Sequence, residues 1–513
     1  MNKSNPWLQY LCAFLLGSIA PLAFAPYSLW PVVFVSLTGF LFLIDGRSAK
    51  MAAKLGFSYA MGMYAFGITW IHVSMDLFGG MPAVATWALM ALLCAYLAIF
   101  TLLTGYVAQR FKVSLKWQYW LLMPVTWLIF DWLRGHFMTG FPWLWLGYSQ
   151  IDSPLAGFAP IFGVQGITLA ILLICGSLVI AIKSKTWLWP ASLIVALFTA
   201  GGYLNNQTFT QPLPVAKVAL VQGNIDQNLK WQDEQLWPSL KLYYELSQIQ
   251  EELDLIIWPE SAIAALELNV EPFLVRLNQD MNDRGTSLIT GIIEYRKTEK
   301  TYYNTLIALG DTPLEHDYEP DHANRYAKHH LLPIGEFVPF EDWLRPLAPY
   351  FDLPMSSFNR GDYVQSNLLT KKNKIAPAIC YEIAYSEQLR QNILDDTSMI
   401  LTVSNDAWFG DSNGPHQHLE IAQMRALEFG RPVLRATNTG ITAFIDHHGN
   451  ITSRAEQFKT QVITQDVVPM TGQTPYGRFG SWPLIVWVCS IFSLCIWRHF
   501  RIERKISGKL AEN

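Results

Sequence analysis

The chain has 513 residues, of which 51% are hydrophobic and 15% charged, and its formal net charge is −4. Residues 205–480 carry 22 Lys and Arg against 35 Asp and Glu, which excludes a nucleic-acid-binding role for this part because phosphate binding depends on cations. The nearest approaches to a metal-ligand pattern are His416-x-His418 and His329-His330. Neither has the spacing of a metal site, and we expect no metal or other cofactor.

The first 204 residues and one later stretch are strongly apolar. A helix needs about 20 residues to cross a bilayer, and backbone groups without water partners favour helices there. The predicted spans are residues 7–25, 27–44, 55–75, 83–107, 117–133, 157–182, 186–203 and 481–497. Pro21 interrupts the first span and the fifth is short. An alternative for the first span is a signal peptide with a cleavage site at Ala23-Phe24-Ala25.

The basic residues near the spans predict an orientation, because cytoplasmic loops are enriched in Lys and Arg. With the N-terminus inside, the inner loops hold nearly all of the basic residues, and the short outer loops hold Arg134 alone. The inner residues are Arg47, Lys50, Lys54, Arg110, Lys112, Lys116, Lys183, Lys185, Arg498, Arg501, Arg504, Lys505 and Lys509. This pattern predicts a multi-pass protein with both termini in the cytoplasm and residues 205–480 on the outer face, which is the periplasm in a bacterium.

Three parts follow from these patterns. Residues 1–204 form a membrane domain of about seven transmembrane helices, residues 205–480 a soluble domain, and residues 481–513 a final helix with a basic tail. One outer loop, residues 140–150 (G-F-P-W-L-W-L-G-Y-S-Q), is rich in aromatic residues. This composition indicates an aromatic belt at the membrane interface or, alternatively, a floor under the outer domain that contacts lipid or substrate.

The soluble part alternates short apolar runs with polar helical segments, which predicts a layered α/β domain. A helix is expected within residues 232–252 and another over His416 to Phe429. The predicted strands and extended segments are residues 215–222, 253–258, 287–293, 305–309, 324–332, 375–380, 399–404, 432–437 and 442–446. Residues 341–358 are too rich in proline for a regular helix and too apolar for a solvated loop, so they either pack as core or cover a lipid site.

One thiol is unusual by its position. Five of the six cysteines lie in apolar spans, and Cys380 alone lies in the soluble part. In an oxidising compartment a single thiol has no internal disulfide partner. Cys380 is therefore either a buried, inert residue or a reactive thiol.

Glu260 and Lys328 are candidates for the base and the oxyanion donor that a thiol nucleophile needs. Glu260 follows a short apolar strand, at the kind of strand end where functional side chains gather, and Lys328 lies on an extended segment. Cysteine catalysis requires a base and a donor for the oxyanion. A carboxylate among apolar residues suits the first role. From chemistry alone, each of these residues is equally compatible with a structural ion pair.

The motifs around these residues resemble the carbon–nitrogen hydrolase (nitrilase) superfamily. Trp-Pro-Glu-Ser surrounds Glu260, Tyr-Ala-Lys-His-His-Leu-Leu-Pro-Ile-Gly-Glu contains Lys328, and Ile-Cys-Tyr-Glu contains Cys380. The order Glu, Lys, Cys is that of the superfamily. The resemblance implies a four-layer α-β-β-α sandwich. With its flanking spans, the whole chain resembles the apolipoprotein N-acyltransferase branch of the bacterial inner membrane.

This resemblance implies an acyltransferase that works through a Cys380 thioester. Glu260 is then the base and Lys328 the oxyanion holder; Glu336 assists, Tyr381 and Glu382 line the site, and Trp231 helps to hold substrate. The implied donor is a membrane phospholipid, most simply phosphatidylethanolamine. The implied acceptor is the α-amine of the diacylglyceryl-cysteine that begins a diacylated apolipoprotein. For Glu382, a plain ion-pair role stays open.

Three other functions compete with this one. A membrane-anchored amidase acting on a small amide has the same three groups but does not need eight spans. A catalytically dead scaffold does not need the three groups at all. A transporter is disfavoured because the spans hold few charges to mark an ion path.

Overall fold

The computed structural model describes residues 5–249, 251–313, 318–333, 335–337 and 358–511. The chain forms two compact units. The first comprises Met1–His72, Ala83–Gln207 and Phe479–Asn513, and the second comprises Val73–Pro82 and Thr208–Arg478. The second unit therefore includes a short segment, Val73–Pro82, that the sequence analysis assigned to the membrane domain.

The first unit is helical. Its helices are α1 (Pro6–Ile19), α2 (Val32–Ile44), α3 (Ala49–Gly67), α4 (Ala83–Arg110), α5 (Met123–His136), α6 (Ala159–Ser184), α7 (Leu188–Asn205) and a C-terminal helix (Trp482–Ala511). In the described part of the chain, five helical segments are long and apolar enough to cross a membrane: Pro6–Ala23, Ala83–Arg110, Pro154–Ser184, Leu188–Asn205 and Trp482–Ile502. The predicted count of eight spans and their topology stay a prediction.

Small residues allow the helices of this unit to pack closely. A Cβ on Gly17 would lie 1.8 Å from the carbonyl oxygen of Tyr59, and one on Gly62 would lie 2.1 Å from that of Phe14. The backbones of α1 and α3 therefore meet where side chains are absent, as is common between membrane helices. Large apolar side chains such as Trp7, Leu11, Leu15, Leu92 and Trp189 remain exposed. These features are typical of a membrane protein.

The aromatic loop at residues 140–150 is buried within the first unit. Trp143 is 1% exposed, Trp145 8% and Tyr148 1%, so these rings form neither an exposed belt nor a surface that contacts lipid. The guanidinium of Arg134 donates to the carbonyl oxygens of Phe141 (2.9 Å) and Trp143 (2.7 Å). Arg134, predicted as an outer-loop charge, thus holds the loop from inside.

The second unit contains two six-stranded sheets with the same plan. In chain order the strands are β1 (Gln211–Pro212), β2 (Ala216–Gln222), β3 (Leu255–Ile257), β4 (Ser287–Arg296), β5 (Thr301–Gly310), β6 (Arg325–Ala327), β7 (Leu368–Leu369), β8 (Lys374–Ile379), β9 (Met399–Ser404), β10 (Val433–Thr437), β11 (Ala443–Ile445), β12 (Ile451–Arg454), β13 (Gln461–Val467) and β14 (Met470–Thr471). The sheet orders are β13-β2-β3-β4-β5-β6 and β12-β11-β10-β9-β8-β7. The central strands β2-β3-β4 and β8-β9-β10 are parallel, and the outer pairings are antiparallel.

Alternation along the strands divides the apolar residues between two cores. Leu220, Ile257, Leu401 and Leu434 belong to a core that both sheets share. Neighbouring residues such as Ile256 face the other way, into a core with the helices α8 (Asp233–Leu246) and α9 (Glu271–Asp283). This is the expected consequence of the two-residue period of a strand.

Two helices pack on the second sheet. They are α10 (Ser386–Asn392) and α11 (Asn413–Phe429), which contact β8 and β10 respectively. The predicted layered α/β domain is confirmed, with two sheets between helices. Helices α9 and α10 and strands β1, β7 and β12 to β14 were not predicted. The proposed lipid-covering segment, residues 341–358, lies outside the described residues except for Phe358.

The segment Val73–Pro82 packs on a loop of the second unit. The Ser74 hydroxyl donates to the carbonyl oxygen of Trp408 (2.7 Å), and the ring of Phe78 meets that of Trp408 edge-on with centroids 5.1 Å apart. This unit is therefore discontinuous in sequence.

Candidate active site

Glu260 lies directly after β3, where the chain turns at Pro259. The turn passes close over β4, and a Cβ on Gly291 would lie 2.3 Å from the backbone nitrogen of Ser261. Only glycine permits this approach without displacing the turn. Gly291 therefore helps to place the Glu260 side chain, which is 6% exposed.

A buried charge cluster forms around Lys328. Its Nζ lies 2.8 Å from Glu336 Oε1 and 3.4 Å from Glu260 Oε1. The Asn304 amide donates to the same two oxygens, at 3.1 and 2.8 Å. Burial opposes the charge of Lys328, but the carboxylates of Glu336 and Glu260 outweigh it and raise the pKa of the ammonium, so this cation stays charged.

Cys380 follows the last residue of β8 and begins a short helical turn, Cys380–Ala384. Its φ is +55°, a left-handed conformation that costs a non-glycine residue energy and is common at functional sites. Its thiol is partly exposed and lies 3.3 Å from the Ser404 hydroxyl. Burial and the charge of Glu260 raise the pKa of the thiol, while Lys328 opposes this. The protonated thiol is therefore the stable resting form of Cys380.

Glu382 binds backbone N–H groups on both sides of the site. Glu382 is 2% exposed. Its carboxylate accepts hydrogen bonds from three backbone N–H groups, those of Ile379 (2.8 Å), His329 (2.8 Å) and His330 (3.0 Å). It also accepts from the Tyr326 hydroxyl (3.1 Å) and the Gln388 amide (3.2 Å). Glu382 thus ties the turn after Cys380 to the segment after Lys328. These contacts differ from the plain ion pair that the sequence left open. Tyr381 is buried and packs edge-on against Tyr385.

Trp231 is partly exposed in the turn before α8, and its substrate-holding role stays a prediction. The preceding residue, Lys230, reaches the site. Its Nζ donates to the carbonyl oxygen of Glu260 (3.2 Å), and burial lowers the pKa of this ammonium to about 8, against the attraction of Glu260.

Sequence analysis missed several polar groups at the site. Asn304 lies in β5, one residue before the predicted strand began, and Asn405 follows β9, where its backbone N–H donates to Glu260 Oε2 (3.0 Å). Ser404 and Asp406 flank Asn405. Strands β8 and β9 are parallel neighbours, and side chains just past such strands lie close together. The strand-end rule that selected Glu260 would have found Ser404, Asn405 and Asp406, but not Asn304, which lies in the middle of β5.

A buried ion pair lies behind the nucleophile. Asp406 Oδ2 is 2.6 Å from Arg435 Nη2, and neither side chain is exposed to solvent. His418 Nε2 lies 3.0 Å from the carbonyl oxygen of Cys380. Burial alone would raise the pKa of the Asp406 carboxyl, but Arg435 and His418 hold it below its usual range. Asp406 is therefore a carboxylate at neutral pH.

This pair predicts a stability that depends on pH. Because the folded-state pKa of Asp406 is below its unfolded value of about 3.9, its contribution is present above about pH 4 and is lost as the pH falls towards the folded value. We expect Asp406→Asn to lower the free energy of unfolding by about 3–5 kcal/mol at pH 7. We also expect the loss of stability on acidification to be smaller than in the wild type. Hydrogen exchange at β9 and β10 in the detergent-solubilised chain measures both.

The matched control is Asp396→Asn. Asp396 pairs with Lys374, but the two side chains are 56% and 45% exposed, so the expected loss is below about 1 kcal/mol. Equal losses in the two variants would contradict the importance of the buried pair.

The chain is similar to known proteins over most of its length. Residues 217–476 match the carbon-nitrogen hydrolase family, and residues 16–177 match the family described as apolipoprotein N-acyltransferase N-terminal domain. The chain is 48% identical over 496 residues to a protein of Vibrio vulnificus (strain CMCP6) named apolipoprotein N-acyltransferase, covering 96% of this chain and 97% of that protein. It is 41% identical to the protein of that name from Haemophilus influenzae, covering 94% and 93%.

A solved structure is more distantly similar. Saccharomyces cerevisiae Nit3, a member of branch 10 of the nitrilase superfamily, is 17% identical with a TM-score of 0.38, covering 54% of this chain and 97% of that one. A likeness at this level carries no conclusion about the site.

Proposed function

The chain belongs to the apolipoprotein N-acyltransferase family and is an acyltransferase of lipoprotein maturation, and we propose that it transfers the acyl chain through a thioester on Cys380. The observation that carries this proposal is the buried cluster in which Lys328 lies between Glu260 and Glu336 and acts, with Glu260, on the charge state of the thiol. A carboxylate that can act as a base and a fixed cation near a thiol are the groups that thioester chemistry uses.

In the first step, Glu260 takes the proton of the Cys380 thiol. The thiolate attacks the carbonyl carbon of a phospholipid ester, and the Lys328 ammonium stabilises the oxyanion. When the ester bond breaks, Glu260 returns the proton to the departing lysophospholipid oxygen. The acyl chain is then bound to Cys380 as a thioester.

In the second step, the α-amine of a diacylglyceryl-cysteine attacks the thioester. Glu260 takes a proton from this nitrogen, an amide forms, and the sulfur leaves and recovers a proton. Because an amide is more stable than a thioester, the transfer runs forward. The reaction is a ping-pong transfer, since the lysophospholipid leaves before the acceptor reacts.

The other predicted residues support this chemistry in distinct ways. Glu336, together with Asn304, which was not predicted, holds Lys328 and Glu260 in place by hydrogen bonds. Glu382 fixes the backbone on both sides of the site. Tyr381 lines the site beside the nucleophile, and Trp231 helps to hold substrate. Water must stay away from the thioester, because hydrolysis competes with transfer.

We assign the substrates and the compartment from the sequence patterns and the family. The donor is a phospholipid, with phosphatidylethanolamine proposed, and the acceptors are diacylated apolipoproteins. We propose that the enzyme lies in the bacterial inner membrane with about eight spans, residues 205–480 in the periplasm and both termini in the cytoplasm. Residues 1–204 and 481–513 are the proposed membrane parts, and segment 341–358 is the proposed cover of the lipid site.

The test is an acyl adduct on the purified chain. After incubation with phosphatidylethanolamine, intact mass is expected to increase by one acyl group in the wild type and not in Cys380→Ala. Subsequent addition of a diacylglyceryl-cysteine peptide is expected to remove the adduct and yield an N-acyl peptide. A wild-type chain that never gains the mass would refute the thioester route.

Hydrolysis of a small amide is the less favoured alternative. The relatives match this chain over nearly its full length, including the apolar helices. Hydrolysis of a small, soluble amide does not require such helices. Release of ammonia from small amides without any acyl adduct would favour the alternative.

A further inference from the structure

A buried hydroxyl group connects the nucleophile to the ion pair behind it. Ser404, the last residue of β9, has its Oγ 3.3 Å from Cys380 Sγ and 2.5 Å from Asp406 Oδ1. Ser404 is 0% exposed and Asp406 1%. None of the motifs discussed above assigns a role to this serine.

The direction of these hydrogen bonds follows from what each group can donate. Asp406, held ionised by Arg435, accepts only, so at 2.5 Å the single proton of Ser404 points to it. The serine oxygen then accepts the S–H of the resting thiol. A chain of donors therefore runs from Cys380 through Ser404 to Asp406.

His418 carries a proton on Nε2, because the carbonyl oxygen of Cys380, 3.0 Å from Nε2, can only accept. Nδ1 lies 3.2 Å from Asp406 Oδ1, which accepts, and 3.2 Å from Arg435 Nη2, which donates. Burial and Arg435 lower the pKa of His418, while Asp406 acts to raise it. His418 thus holds the backbone of Cys380, and Arg435 is the cation that balances Asp406.

We propose that Ser404 is a positioning residue for the nucleophile: its hydroxyl turns from Asp406 to the sulfur when Cys380 loses its proton, and it holds the thiolate by a hydrogen bond. The proposal deepens the acyl transfer described above and rests on it. The thiol proton goes to Glu260, Ser404 keeps its own proton, and Asp406 stays paired with Arg435. No bond other than the S–H bond breaks.

The same hydrogen bond is expected to matter in both halves of the reaction. The thiolate attacks in the first step and is the leaving group in the second. A donor to sulfur lowers its basicity, which raises the thiolate population and makes the sulfur a better leaving group. Ser404 therefore favours the thiolate without contacting either lipid substrate's reacting carbon.

Several charges act on the sulfur besides this donor. Glu260 and Asp406 disfavour the thiolate, and Lys328 favours it. His418 reaches the carbonyl oxygen of Cys380 through Nε2. Since replacement of Ser404 leaves all of these groups in place, a change in thiol titration is attributable to the hydroxyl.

The test is the pH dependence of Cys380 alkylation by iodoacetamide in the detergent-solubilised full chain, followed by peptide mass. We expect Ser404→Ala to raise the thiol pKa by about one unit, which lowers the thiolate population about tenfold; the higher nucleophilicity of a more basic thiolate recovers roughly threefold of this. Alkylation from pH 7 to 10 is then about threefold slower at each pH. Ser404→Thr, which keeps the hydroxyl, is expected to restore the wild-type rate.

Ser398→Ala is the matched control. Ser398 precedes β9 at its other end, is 2% exposed, and bonds Asn373 and Lys374 through its hydroxyl, so it loses comparable buried bonds far from the sulfur. An unchanged alkylation rate in Ser404→Ala, or equal slowing in Ser398→Ala, overturns the proposal. If Ser404→Ala does not fold, the isosteric pair Ser404→Thr and Ser404→Val decides: only Thr is expected to alkylate at the wild-type rate, and equal rates overturn the proposal.

The alkylation comparison uses no phospholipid. A wild-type chain that forms no acyl adduct therefore defeats the proposed function, whereas the role of Ser404 at the sulfur is decided separately by the iodoacetamide rates.

Discussion

Glu260→Gln is expected to slow formation of the acyl-enzyme by about a thousandfold, within the range that a general base contributes. Gln preserves the shape of Glu260 and keeps one acceptor for either the Asn304 amide or the Asn405 backbone N–H, which bond different oxygens of Glu260, but it cannot take the thiol proton. The chain should therefore stay folded while the chemistry fails. Single-turnover incubation with phospholipid, sampled by intact mass, measures the rate.

Glu267→Gln provides the matched control. Glu267 is 2% exposed and accepts from Arg325 at 3.1 Å, at a part of the same unit that does not contact Cys380. This substitution removes a buried carboxylate and lowers stability, yet it is expected to leave the acylation rate unchanged. A Glu260→Gln rate within tenfold of the wild type would remove Glu260 as the base.

Lys328→Met is expected to damage both activity and stability. Lys328 is 1% exposed and lies between Glu260 and Glu336, so its removal leaves two buried carboxylates without their shared cation. Breaking a buried pair in this way costs about 3–5 kcal/mol. Loss of an oxyanion donor slows acylation by about 10²–10³-fold. Hydrogen exchange and single-turnover acylation measure the two effects separately.

The double variant Lys328→Met/Glu336→Gln separates the catalytic role from a structural one. Removal of one carboxylate together with the cation restores the charge balance, and most of the stability is expected to return while acylation stays slow. Recovery of acylation as well would reduce Lys328 to a structural ion pair. Lys371→Met, at an exposed pair with Asp311, is the control and is expected to cost less than about 1 kcal/mol.

The layered domain was predictable from the sequence because its strands are short, apolar and punctuated. Pro259, just past the end of β3, and the end of the apolar run before Cys380 mark the positions where the chain leaves the two sheets. The three sequence motifs then indicated Glu260, Lys328 and Cys380 as candidate site residues. The roles of Glu260, Lys328 and Cys380 stay predictions until the variants are measured.

The partners of these groups were not predictable in the same way. Asp406 lies in the turn after β9 and Arg435 in β10, so they meet only after these strands pair. Glu382 looked like one half of an ion pair, yet its partners are mostly backbone N–H groups, which have no sequence signal. The aromatic loop had an interfacial composition but is buried, because Arg134 binds its carbonyl oxygens.

The contact between Val73–Pro82 and Trp408 limits how the chain can thread through a bilayer. A segment that packs on the soluble unit lies on the same side of the membrane as that unit. We therefore expect the chain between Pro82 and Thr208 to cross the bilayer an even number of times, because both ends of this stretch belong to one compact unit. This expected parity does not depend on the total number of crossings.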